Sequence, residues 1–157
     1  ATTLGTPYCF GDGSGTPCPC GNVGGAGEGC ANTTNSGAVC SALGTTSVAS
    51  DDAVFTGTNM LPNQPGVLFF ADNATNNGDG IVFGDGLRCA GGNLVRRGVQ
   101  TPNAMGIATW GPGLLAGTSV SAGDLKRWQI WYRDPAGGGA CSNAFNLSNG
   151  LEMTFTP

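Results

Sequence analysis

The chain has 157 residues, six Lys and Arg against ten Asp and Glu, no His, and a formal net charge of −4. That length fits one domain able to bury roughly 70% of its unfolded surface, and 39% hydrophobic residues excludes a disordered chain. The cations form no basic stripe, the only runs being the pairs Arg96-Arg97 and Lys126-Arg127, which speaks against nucleic acid, and no apolar run approaches the roughly 20 residues of a membrane span.

Charged residues are only 10% of the chain, against about 25% in an average soluble protein. The surface must therefore be covered by Thr, Ser, Asn and Gly, which suits packing against copies of the same chain, against glycans or against a wall. The opening Ala1-Thr2-Thr3 reads as a mature start left after cleavage at a small-residue site. Residues 1–36 form a segment rich in Gly and Pro that carries Cys9, Cys18, Cys20 and Cys30 and little apolar material, so covalent staples must hold it. Seven cysteines without a histidine fit disulfides in an oxidising compartment and not a zinc site. The Cys18-Pro19-Cys20 spacing is too tight for structural zinc and for a bridge between neighbours. Cys18 and Cys20 are each expected to pair with Cys9 or Cys30, the pairing within this group of four staying open among three possibilities. Cys89 and Cys141, far apart on either flank of the main body, are expected to pair with each other, leaving Cys40 odd.

The body, 37–157, is expected to form one structural domain with the stapled segment. Its strand-like runs fall at about 37–49, 53–60, 66–72, 80–89, 93–100, 105–110, 125–133 and 145–156, separated by turn residues. Along 126–133, Trp128, Ile130 and Tyr132 share one face, with Arg127, Gln129, Trp131 and Arg133 opposite. Leu151, Met153 and Phe155 alternate in the same way with Glu152, Thr154 and Thr156. Period two with one polar face predicts antiparallel sheets wet on one side. With no convincing helical period over ten or more residues, the expected fold class is all-β: an antiparallel β-sandwich, jelly-roll-like or immunoglobulin-like, with a disulfide-stapled N-terminal segment.

Catalytic chemistry finds little to work with. Without histidine, general base work falls to carboxylates, and Asp51-Asp52, Asp79, Asp85 and Asp134 all read as turn residues. The stretch Asp72 to Gly80 has oxygen ligands, yet Ala74 breaks the alternation and no late Glu follows, so it reads as an Asx-rich turn and no metal is expected. Three sequons mark glycosylation candidates at Asn73, Asn32 and Asn146, with Asn73 best placed in a polar loop. Trp131 and Trp110 are the candidates for stacking on sugar rings, Trp128, Tyr132 and Tyr8 being further aromatics. Ala1–Pro7 is extended-compatible and able to add itself to a neighbour's sheet, and Cys40 to bridge two copies.

The block Tyr8-Cys9-Phe10-Gly11-Asp12-Gly13-Ser14-Gly15-Thr16-Pro17-Cys18-Pro19-Cys20-Gly21-Asn22 resembles the opening of a family of uncharacterised secreted, Cys- and Gly-rich bacterial proteins of planctomycete type. Phe83 to Gly92, Gln129 to Pro135 and Phe145 to Gly150 resemble further blocks of that family. The resemblance implies three disulfides among Cys9, Cys18, Cys20, Cys30, Cys89 and Cys141, with Cys40 as an extra thiol where the family has an aliphatic residue. It implies no chemistry. Together these readings predict a non-enzymatic, secreted extracellular structural protein of the cell surface, self-associating into a fibre or surface assembly. The alternative is a carbohydrate-binding module without catalysis. The expected partners are copies of itself and, in the alternative, glycans; no cofactor, nucleic acid or membrane span is expected.

Overall fold

The computed structural model describes residues 3–157. Apart from two short 3-10 turns its regular elements are strands, in chain order β1 (Thr6–Tyr8), β2 (Val39–Leu43), β3 (Val54–Thr58), β4 (Gly66–Ala71), β5 (Asn73–Ala74), β6 (Ile81–Phe83), β7 (Gly86–Arg88), β8 (Ala90–Gly91), β9 (Val95–Gln100), β10 (Ala108–Trp110), β11 (Leu125–Arg133), β12 (Phe145–Leu147) and β13 (Gly150–Thr154). A large antiparallel sheet runs β1-β13-β11-β4-β9, and β12 takes over from β13 along the second half of β11. A smaller sheet, β10-β3-β2, faces it. The chain is all-β, as its periodicity predicts.

The inward residues of β11 follow that alternation. Trp128, Ile130 and Tyr132 are buried against Phe55 of β3, Phe70 of β4 and Phe155. Trp128 is the centre, its ring 4.3 Å from that of Phe55 and 4.8 Å from that of Phe70. Leu151, Met153 and Phe155 point the same way. Trp110 belongs to this core too, 1% exposed; it is not a platform for sugar, because the cross-strand match of β10 with β3 turns it inward.

The outer face of the large sheet is not simply wet. Phe69, Ala71, Ala90 and Leu147 form a second apolar cluster there, with Phe83 and Trp131 packed on it. A third layer lies above: the paired strands β6–β7 and β5–β8 together with the N-terminal segment. Gln129, on the face that sequence marks as polar, is therefore fully buried. Its Oε1 accepts from the Cys89 N–H at 2.9 Å, and its Nε2 donates to the carbonyls of Leu87 at 2.9 Å and Ser148 at 2.7 Å. One side chain thus sews the third layer to the sheet.

The disulfides close the same layer. The bridges are Cys9–Cys89, Cys18–Cys30 and Cys20–Cys141. The expected Cys89–Cys141 pair is corrected, and so is the expectation that Cys20 pairs inside residues 1–36. The N-terminal segment lies across the outer face of the sheet, so Cys9 meets Cys89 and Cys20 meets Cys141; only Cys18–Cys30 is internal to it. Three disulfides fit an oxidising compartment.

Ala1 and Thr2 lie outside the described residues. From Thr3 onward, the segment expected to reach a neighbour serves its own chain. Thr3 bridges Leu43, the Leu4 N–H donates to the Ala42 carbonyl at 2.9 Å, and Thr6–Tyr8 pairs with Gly150–Glu152 of β13. Cys40 is free but 1% exposed in the core, where burial pushes its thiol up to about 12. A thiol so placed is shut off from exchange, which corrects the expectation of a bridge between copies.

Candidate functional site

One place on the outer face escapes the third layer. Beyond the β6–β7 hairpin, the large sheet carries a cross-strand row of Leu147, Trp131, Val67 and Val99 on β12, β11, β4 and β9. Above this row lies a groove of about 410 Å³, also bordered by Pro65 and Phe145. Trp131 is half-buried and Val99 is 60% exposed.

Trp131 is held from below and from one side. Its ring centroid lies 5.6 Å from that of Phe83 and 5.7 Å from that of Phe145, which meets it edge-on. Phe83 and Phe145 meet edge to face at 5.1 Å. Such tilted contacts are the favoured geometry for aromatic pairs; two of them fix the indole plane and the third braces the two phenylalanines against each other. The turn after Phe83 has to be glycine: Gly84 has φ +58° and a Cβ there would stand 2.2 Å from Phe145 Cε2.

Arginines rim this aromatic floor. The Arg96 guanidinium sits 5.6 Å over the Trp131 ring, and that of Arg88 5.7 Å over Phe83. Arg133 borders the groove at its other end, next to Pro65, whose carbonyl accepts the Arg133 N–H at 3.0 Å. Arg96 reaches this face through an irregularity in β9. Val67 pairs with Val99 and Phe69 with Arg96, so two residues of β9, Arg97 and Gly98, stand opposite Leu68 alone of β4. In a regular strand Arg96 and Val99 would point to opposite faces; the extra residue of a β-bulge puts both on the groove side. Gly98 supplies the left-handed φ of +106°, and the Trp110 Nε1–H donates to its carbonyl at 2.9 Å. Core and groove are tied at that point.

The carboxylates considered as acid–base candidates serve the backbone. Asp85, fully buried, accepts from the Asn143 N–H at 3.0 Å and from Asn143 Nδ2 at 2.9 Å. Asp134 accepts from the N–H and hydroxyl of Thr33. Asp52 accepts from the N–H and hydroxyl of Thr45, which hold its carboxyl below the usual range. In the Asx-rich stretch, the Asp72 carboxylate is engaged by Lys126 Nζ at 2.6 Å and Asn93 Nδ2 at 2.8 Å.

Two of the three sequons are corrected. Asn32 is buried, its Nδ2 donating to the Asn59 carbonyl at 2.7 Å and to the Tyr132 hydroxyl at 3.0 Å. Asn146 is buried as well, its Nδ2 donating to the carbonyls of Cys30 and Ala31. A glycan on either would displace these bonds. Asn73 is exposed. Among the other aromatics, Trp128 and Tyr132 are core, and the Tyr8 hydroxyl donates to the Cys89 carbonyl at 2.9 Å.

Sequence reasoning picks out Trp131 but not the residues around it. Phe83, Phe145 and Arg96 come from three distant segments, and only the bulge brings the last of them over. No helix of the described residues is long and apolar enough to cross a membrane. No protein-family model matches the chain, and no curated protein matches it. A crystal structure of a tetra-tandem repeat in the extending region of a large adhesion protein is similar over 75% of this chain and 24% of that one, at 15% identity and a TM-score of 0.46.

Proposed function

We propose that the chain is a secreted domain of the cell exterior that acts without catalysis as a binding module, holding a sugar ring against Trp131. One observation carries the reading: of three tryptophans, two are sealed in the core, while Trp131 forms the floor of an open groove, its plane fixed by Phe83 and Phe145. A flat, pre-oriented indole receives the C–H face of a pyranose at little entropic cost. The covalent closure of the third layer suits a groove that must keep its shape outside the cell.

The test is a glycan array followed by calorimetric titration of the best oligosaccharide. Trp131→Ala is expected to weaken binding at least tenfold with an unchanged circular dichroism spectrum. Silence across the array, or binding indifferent to this substitution, contradicts the reading.

Self-assembly is supported by a separate feature. Strand β9 pairs on one side only, with β4, and it leaves Val99 exposed on a chain poor in the charges that blunt a sheet edge. On this reading a second copy seats on β9, and sedimentation at rising concentration shows a larger species that Val99→Lys removes. A strictly monomeric chain at high concentration rejects it.

A further inference from the structure

The groove has a charge that the rest of the chain lacks. Of the six cations, Lys126 is paired with Asp72 and Arg127 with Glu152, while Arg97, which also lacks a carboxylate partner among the described residues, donates to the Ala116 carbonyl at 2.9 Å. Arg88, Arg96 and Arg133 have no carboxylate partner among the described residues, and all three stand around the Trp131–Phe83–Phe145 floor. Half the cations of a chain with net charge −4 thus gather, uncompensated, at one aromatic site.

We propose that this groove selects anionic sugars, pyranose rings bearing a carboxylate or a sulfate, with Trp131 stacking the ring and Arg96 and Arg133 forking its oxyanions. The inference rests on the ring-binding reading above and names the class of sugar.

The two arginines have the right type and spacing. A guanidinium is planar, weakly hydrated and presents paired donors that match a carboxylate or sulfate in two parallel bonds. Arg96 is opposite Phe69 and Arg133 is beside Pro65, four residues apart along β4. At about 3.3 Å per residue their backbones are about 13 Å apart along the strands, with Trp131 and Val67 between. That span suits a short oligosaccharide carrying an anion near each end. Arg96 swings off the indole as the sugar ring takes its place, exchanging its contact with the ring for paired bonds to the anion. An acidic peptide would find the charges but offer no flat ring for Trp131.

Titrations at low and moderate salt would use four probes of similar length: an oligogalacturonate, a sulfated galactan oligosaccharide, a neutral galactan oligosaccharide and poly-Glu; a single-stranded oligonucleotide is a fifth. The expected result is that at least one anionic sugar binds tenfold or more tighter than the neutral one, and that added salt shrinks this margin. The carboxylate and sulfate arms show which oxyanion is read. The Arg96→Gln/Arg133→Gln variant, altered only at exposed side chains, should lose the margin and keep the neutral affinity, whereas Trp131→Ala should lose both. Equal affinity for neutral and anionic sugars overturns the inference while leaving ring binding intact, as does a margin that survives the double substitution. Poly-Glu or the oligonucleotide binding as tightly as the anionic sugars also overturns it. No binding of any sugar overturns both.

Discussion

The Cys9→Ser/Cys89→Ser variant is expected to lose about 4–5 kcal/mol of stability, seen as a large drop in the urea midpoint with a steeper slope, because the unfolded chain freed of its cross-link exposes more surface. The bridge spans 80 residues of sequence, and constraining a loop of that size removes about 4.5 kcal/mol of unfolded-chain entropy. The Cys18–Cys30 bridge spans only 12, for which the same relation gives about 3 kcal/mol. Burial adds to the difference, since both sulfurs of the first pair are in the interior with Leu87 packed beside them. The consequence reaches the groove: Cys89 follows directly on the β6–β7 hairpin that carries Phe83, so loosening it frees one side of Trp131. A loss below about 2 kcal/mol would mean that the third layer stays closed without its covalent tie.

Gln129→Leu is expected to cost about 3–5 kcal/mol, although it puts an apolar residue of similar length at a fully buried position. The substitution leaves the Cys89 N–H and the carbonyls of Leu87 and Ser148 without their partner. Each buried polar group so orphaned costs roughly 1–3 kcal/mol, and the three are not additive. The readout is chemical denaturation together with hydrogen exchange: the Cys89 amide, protected in the parent, should exchange faster in the variant than the core amides of β11. A variant as stable as the parent would show that water enters and satisfies these groups. The same position explains why the outer layer is specific, since only a side chain with both a donor and an acceptor fits between two carbonyls and an N–H.

How far these features can be read in the sequence depends on the range of the interaction. The alternation at Trp128, Ile130 and Tyr132 and at Leu151, Met153 and Phe155 is local, and the core faces follow from it directly. Gln129 falls on the face that alternation marks as polar, and its burial depends on where the β6–β7 hairpin and the N-terminal segment come to rest. No local pattern encodes that. Disulfide partners are of the same kind: the three bridges have sequence separations of 80, 12 and 121, and only the shortest pairs neighbours within the stapled segment. The buried asparagines show a third case. Asn32 and Asn146 sit in sequons, which read as surface, yet the Asn32 amide satisfies the Asn59 carbonyl just after β3 and the Asn146 amide the carbonyls of Cys30 and Ala31, where the N-terminal segment meets β12.

The candidate site is half legible. Trp131 stands out as an aromatic on the polar face of a long strand. Arg96 does not, because the bulge at Gly98 shifts the face by one residue, and in a chain with 29 glycines a single glycine inside a strand carries no visible mark. The physical cause of the groove is the reach of the third layer, which covers Gln129 and stops short of Val67 and Val99.

The most direct measurement is a two-dimensional NMR titration of the three tryptophan indole N–H resonances with an oligogalacturonate. The Trp131 resonance is expected to move with saturation while those of Trp110, whose N–H is held by the Gly98 carbonyl, and Trp128, sealed in the core, stay in place. A saturable shift elsewhere with Trp131 unmoved would contradict ring binding at this groove.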